Sequence, residues 1–339
     1  MARQRRRHPI GPSLLLLSGM TLAGCGGPSS GTGTAESEAP VGDLESRVAA
    51  RLDALDAITT IYAKHLPTGR EIAVRADLPM NTLSVIKIPV MARAFADHEG
   101  GRLNLDSRHT VTPDELRRGS GLVQTFEPGL QPTLRDLVRQ MIITSDNTAT
   151  DIVIEAVGLR RVNALLAEHG YAETRLRMTT GELFREVWVR ADPENVALTD
   201  REVFERGFPP DAQASARSFV LEGDSTKWLG RTTAREMGRL LEDVLGGRFA
   251  SEDASAEMVD MLSGQLYSSR LPQRVQWQGV SVAHKTGDWP PIAGNDVGIL
   301  FYEGGATVVS VFTNQNTGDF FELEATLGLI AQDIVEAWR

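Results

Sequence analysis

Leu83-Ser84-Val85-Ile86-Lys87-Ile88-Pro89-Val90 is the stretch from which the chain is read outward. A serine and a lysine three residues apart share one helix face, so hydroxyl and amine can meet. Pro89 disfavours an uninterrupted helix ahead of it, so the spacing predicts that Ser84 opens the helix. Free backbone N–H groups and the positive helix end suit a serine that must become an oxyanion. The pattern alone fits a capped core helix with a snorkelling lysine equally well. Composition separates the two readings. Of 35 basic residues only Lys64, Lys87, Lys227 and Lys285 are lysines, so arginine serves wherever positive charge suffices. Lysine can lose its proton near neutral pH when desolvated and then act as a base. Lys87 is therefore a candidate for chemistry.

The 339 residues, 41% hydrophobic and 24% charged, suffice for a substantial core in one or two domains. No apolar run is long enough for a mature transmembrane helix. The formal charge of −10 argues against nucleic acid as a partner. Residues 1–24 combine Arg3, Arg5, Arg6 and Arg7 with an apolar run from Leu14 and close on Leu22-Ala23-Gly24-Cys25. This resembles a bacterial lipoprotein signal peptide with its lipobox. The resemblance implies lipidation at Cys25 and a membrane-anchored protein facing the periplasm or cell exterior. Cys25 is the only cysteine, which excludes an intrachain disulfide, and six scattered histidines show no metal-like spacing. No metal or cofactor is expected, and the protein is expected to be a monomer.

Residues 25–42, rich in Gly, Ser and Thr, read as a flexible tether. Gly27-Pro28-Ser29-Ser30-Gly31 matches G-x-S-x-G formally but lacks the strand and helix such an elbow requires. The catalytic domain is assigned to 43–339. Its spacing predicts a helix over 43–56 and strands over 57–64 and 70–75, with Pro67-Thr68-Gly69 as the turn. A mainly helical block follows over about 80–265. It includes a helix ending at Thr144-Ser145-Asp146-Asn147, one from Thr148 to Val157, and one over 232–245. Residues 184–228 read as an insertion of undetermined form, with a lid as one option. Strands return at 280–285, 296–302 and 306–313, with Glu303-Gly304-Gly305 as a hairpin turn, before a terminal helix. The fold class expected is α+β: an antiparallel sheet flanked by helices plus an all-helical subdomain, with a site between subdomains.

Three short motifs occur in order: Ser84-x-x-Lys87, Ser145-Asp146-Asn147 and Lys285-Thr286-Gly287. Singly, each has a plain alternative: a capped helix, a helix cap, a strand end. Together they make the sequence similar to class A β-lactamase-type serine hydrolases of the penicillin-recognising superfamily, from about residue 44 to the C-terminus outside the insertion. The resemblance implies a five-stranded antiparallel sheet and an acyl-enzyme on Ser84, with a β-lactam or peptidoglycan-like small molecule as substrate. It implies that Lys87 takes the Ser84 proton, that Ser145 passes a proton to the leaving nitrogen, and that Asn147 holds the substrate amide. Lys285 supplies positive charge for a carboxylate and keeps Lys87 neutral by like-charge repulsion. Thr286 and Gly287 bring the strand edge to the ligand, and the backbone N–H groups of Ser84 and Asp288 form the oxyanion hole.

The resemblance fails at deacylation. No E-x-x-L-N run supplies the glutamate with which class A enzymes activate water; an ungapped overlay puts Thr180 there and Phe184 where asparagine is expected. Glu182, two residues on, is either a displaced base or a solvated acid at a helix start. Asp288 either repels anionic substrates, points to solvent, or pairs with a cation. Arg270 and Arg274 read as surface arginines, with carboxylate binding beside Lys285 as the alternative. Three functions stay open: a β-lactamase, a D-Ala peptidase or esterase using the same acylation machinery, and a penicillin-binding lipoprotein that barely deacylates.

Overall fold

The computed structural model describes residues 41–339; the leader, Cys25 and the tether up to residue 40 lie outside the described residues. The chain opens with helix α1 (Val41–Asp53), which takes the last two residues assigned to the tether. Strands β1 (Ile58–His65) and β2 (Glu71–Val74) follow, then the two-residue β3 (Met80–Asn81). A 3-10 turn over Leu83–Ile86 runs directly into α2 (Lys87–Glu99), so Pro89 falls in the first turn of α2, where its missing N–H costs nothing. Next come α3 (Leu134–Ile143), α4 (Asn147–Val157), α5 (Leu159–Glu168) and β4 (Arg175–Leu176). The segment read as an insertion is helical: α6 (Thr180–Ala191), α7 (Asp200–Arg206) and α8 (Ala214–Gly223). Then follow β5 (Gly230–Thr232), α9 (Ala234–Leu245), α10 (Glu252–Ser263) and α11 (Pro272–Val275). Strands β6 (Ser281–Trp289), β7 (Ala293–Tyr302) and β8 (Gly305–Asn314) and helix α12 (Phe320–Trp338) close the chain.

The main sheet is antiparallel and five-stranded in the order β2-β1-β8-β7-β6. Its N-terminal and C-terminal strands meet where Tyr62 lies opposite Ser310. One face packs on α1, α11 and α12 through Leu44, Val48, Leu271, Leu327 and Ile330. The other packs on the helical block through Val297, Phe312, Met237 and Leu240. Each face thus buries alternate side chains, as a sheet with helices on both sides must.

The structure corrects the sequence reading at three places. The helical block is not all-helical: β3, β5 and β4 form a small second sheet. Lys285-Thr286-Gly287 lies within β6 rather than at its end, because β6 and β7 stay paired out to Trp289 opposite Ala293. Helix α1 ends at Asp53 rather than 56.

As the terminal strand of the sheet, β6 has a free edge, and that edge lies against the Ser84 turn. A Cβ on Gly287 would sit 2.6 Å from the Thr82 carbonyl oxygen and 3.2 Å from Val85 Cγ2. The approach is backbone to backbone and tolerates no side chain. Gly287→Ala is expected to lower the free energy of unfolding by about 1–3 kcal/mol, as overpacking does. It should also slow covalent labelling of Ser84. Urea titration together with labelling rates checks this; unchanged values for both would contradict the close approach.

Candidate active site

Ser84, Asn147, Thr180 and Asp288 line one cleft of about 530 Å³, with Phe184, Phe208, Tyr267 and Trp289 among its walls. The residues preceding the nucleophile are held by an asparagine network. Asn81 N–H donates to Asn314 Oδ1 at 2.9 Å, and Asn295 Nδ2 donates to the Asn81 carbonyl at 2.9 Å. Asn81 Oδ1 accepts from Leu83 N–H at 3.2 Å. Leu83 sits at φ +46°, in the left-handed region that non-glycine residues occupy only when their surroundings impose it. Ser84 is partly exposed at the floor of the cleft.

The Ser145-Asp146-Asn147 turn is both a cap and a site. Asp146 caps α4 by accepting from Ala149 N–H at 2.8 Å, and its other oxygen accepts from Val123 N–H at 2.7 Å. It therefore fixes the loop carrying Gly119-Ser120-Gly121 across the cleft mouth. Burial raises the Asp146 carboxyl above its ordinary range, against the pull of these N–H donors. Ser145 is at φ +55°, a second enforced left-handed residue, and its hydroxyl points between two amines. Lys285 Nζ donates to Ser145 Oγ at 3.0 Å, and Lys87 Nζ lies 3.2 Å from the same oxygen.

Both lysines are fully buried. Lys87 Nζ donates to the Ser145 carbonyl at 2.7 Å and to Asn147 Oδ1 at 2.8 Å. Two acceptors match the two protons of a neutral amine and leave its lone pair facing hydroxyls. Burial pushes Lys87 well below its ordinary pKa, and the Lys285 charge pushes the same way. Burial also brings Lys285 down, to about 8, against the opposing pull of Asp288 and Asp296. Both amines are thus lowered, and Lys87 is the one whose neighbour's charge adds to the push. The hydrogen bonds of Lys87 Nζ go to Ser145 and to Asn147, which lines the same cleft as Ser84.

Asn147 is more engaged than its expected substrate role required. Its Nδ2 donates to the Arg118 carbonyl at 2.8 Å while its Oδ1 accepts from Lys87. Thr286 and Gly287 are buried in β6. Asp288, a third exposed, is ion-paired with Arg270. Burial, the largest single influence, would raise its carboxyl, but the Arg270 charge and hydrogen bond together with Thr286 and the Lys285 charge hold it below the usual range. Arg270 is not a surface residue: it is 2% exposed and lies beneath the cleft wall, whereas Arg274 is exposed.

Glu182 lies elsewhere. Its carboxylate accepts from Thr179 N–H at 2.7 Å in a capping box that starts α6, and the side chain is exposed. It does not line the cleft. Thr180 does, and its N–H and hydroxyl both go to Asp151 Oδ1, at 2.8 and 2.9 Å. Asp151 is itself bonded to Arg117 Nε at 2.7 Å and to Gly181 N–H at 2.9 Å. Sequence reasoning missed Ser120, whose hydroxyl donates to the Ser145 carbonyl at 2.8 Å. The flanking glycines, at φ +91° and +110°, were the available signal. It also missed the edge-to-face pair Phe184–Phe208, with centroids 5.6 Å apart.

Comparison with known proteins agrees with this geometry. A beta-lactamase of Streptomyces albus G is 25% identical over 299 residues, covering 87% of this chain and 82% of the relative. The crystal structure of the beta-lactamase from Sphaerobacter thermophilus superposes with a TM-score of 0.69 at 24% identity, covering 87% of this chain and 97% of the other. A variant of PBP-A, solved as its acyl-enzyme complex with penicillin G, superposes at 0.67 and 20% identity, over 88% of this chain and 97% of the other. Both superpositions speak to the fold. The model of the beta-lactamase enzyme family matches residues 43–338, and by that match over nearly the whole described chain this protein belongs to the beta-lactamase enzyme family.

Proposed function

We propose that the protein hydrolyses β-lactams through an acyl-enzyme on Ser84, with deacylation as the slow step. The observation that carries the reading is the Lys87–Ser145–Lys285 arrangement beside Ser84. A neutral, buried amine is a competent base for a serine that is a poor nucleophile until deprotonated. The Ser145 hydroxyl, in reach of both amines, can take that proton onward to the departing lactam nitrogen. The backbone N–H groups of Ser84 and Asp288 serve as the oxyanion hole, each such donor contributing about 3–4 kcal/mol to lowering the barrier. The apolar wall of Phe184, Phe208 and Trp289 suits a large acyl side chain. An anchor through Cys25 at the outer side of a membrane belongs to the same proposal, supported by Leu22-Ala23-Gly24-Cys25.

Slow deacylation follows from what stands where a base for water is needed. Thr180 fills that wall, and the two carboxylates lining the cleft, Asp288 and Glu324, are both within reach of Arg270. Mixing with a chromogenic cephalosporin should give a burst approaching one equivalent, then a slow steady state, with the mass adduct on Ser84. Ser84→Ala should abolish the adduct. Glu182→Gln should leave the steady-state rate within twofold of wild type; a tenfold fall would make Glu182 the base after all.

The pH dependence has a defined sign. Acylation by a carboxylate-bearing β-lactam should decline as pH rises through about 8, where Lys285 loses its proton and its attraction for the anion. In Lys285→Arg the charge persists at all accessible pH, so this alkaline limb should vanish. Stopped-flow acylation rates between pH 6 and pH 10 (about the range in which the folded enzyme can be assayed) decide it. An unchanged limb in the arginine variant would assign the titration elsewhere.

A further inference from the structure

The end of the cleft beyond the scissile bond carries a cation that is already neutralised. Arg270 Nη2 is ion-paired with Asp288 Oδ1 and lies 3.1 Å from Glu324 Oε1, which also accepts from Ser269 Oγ at 2.6 Å. Arg270 Nη1 donates to the Asn295 carbonyl at 2.9 Å, and Nε is buried away from any partner. The guanidinium carbon lies 5.7 Å from the Phe320 ring centroid. Arg270 therefore meets the cleft through an Nη2 already held between two carboxylates, while the rest of its guanidinium is buried. Both of its acidic partners line the cleft, and Asp288 is the more exposed of the two, on the strand edge three residues from Lys285. An anion bound here meets Lys285 and Arg270, but also two carboxylates, and the four charges cancel.

From this we infer that Asp288 is a specificity-determining residue that sets the enzyme for acyl donors with no carboxylate beyond the scissile bond: uncharged or amine-bearing leaving sides. The inference rests on the acylation reading above. The Asp288 carboxylate does the work that a substrate carboxylate would do, as counter-ion to Arg270, and repels a second anion. An amide N–H or ammonium on the leaving side finds an acceptor there instead. The backbone N–H of Asp288 keeps its place at the oxyanion whatever the side chain, so the side chain is free to select.

Benzylpenicillin and its methyl ester differ only in that carboxylate, and the test is the second-order rate constant for acylation of Ser84 by each. In the wild type the ester should react at least as fast as the acid. Asp288→Asn, which keeps the shape and removes the charge, should raise the acid-to-ester ratio about tenfold, and Asp288→Ser should move it the same way. The two variants guard against misfolding in one, and thermal unfolding confirms that each is folded. A wild type that prefers the acid tenfold or more, with the ratio unmoved in both variants, overturns the role of Asp288 while leaving acylation intact. No adduct from either compound in any of the three proteins overturns the acylation reading itself, and this inference with it.

Discussion

Two buried amines sharing one serine hydroxyl is the constraint around which the fold is arranged. Taking two ammonium groups out of water side by side is prohibitive, so one must shed its proton. The stronger push falls on Lys87, from burial first and then from the Lys285 charge beside it. Lys285 sits nearer the acidic groups of β6 and its neighbours, so it keeps its charge longer. The asymmetry that makes one a base and the other a cation is therefore built from ordinary placement of carbonyls and carboxylates. It is held by two left-handed residues, Leu83 and Ser145, each of which costs about 1–3 kcal/mol that the surrounding packing must offset.

Lysine scarcity made this legible in the sequence. The other two lysines form partly exposed ion pairs, Lys64 with Glu242 and Lys227 with Glu186, a role that arginine fills elsewhere on this surface. The two in the motifs are buried. The sheet was legible too, since β1, β7 and β8 alternate or run apolar and are separated by glycine turns. What could not be read was whatever depends on distant partners. Arg270 looks like any surface arginine until α11, β6 and α12 are packed around it. Glu182 looks like a candidate base until its side chain is seen turned to solvent and closing the helix cap, although Thr179 three residues ahead already spelled a capping box. The segment 184–228 resisted reading because its helices are short and mixed in polarity.

That segment is tied to the nucleophile. Glu222 of α8 is 1% exposed and accepts from Asn81 Nδ2 at 3.3 Å and from Gln315 Nε2 at 2.7 Å. Gln315 is itself left-handed, at φ +52°, at the end of β8. Asn81 leads through Leu83 into Ser84, so one carboxylate joins the added helices, the sheet end and the approach to the nucleophile. Burial raises its carboxyl above the ordinary range. Helix α8, which packs on the α6 that supplies Phe184, is thereby braced against the same residues that position Ser84. The wall is part of the site rather than a loose cover.

The carboxylate beside Thr180, Asp151, does not line the cleft and is taken up by Thr180, Gly181 and Arg117, which leaves the question of what activates water once Ser84 is acylated. Microscopic reversibility supplies an answer from groups already present. In the proposed mechanism the proton from Ser84 passes through Ser145 to the leaving nitrogen, which returns Lys87 to its neutral form. The same lone pair that received a proton from the serine can receive one from water. That amine is already held by Asn147 and Ser145. A separate base would relieve it of the second task. The position where such a base is expected is Thr180, whose N–H and hydroxyl both go to Asp151. In the proposed mechanism the amine that serves acylation also serves deacylation, and a persistent acyl-enzyme is the outcome that this sharing of one base predicts.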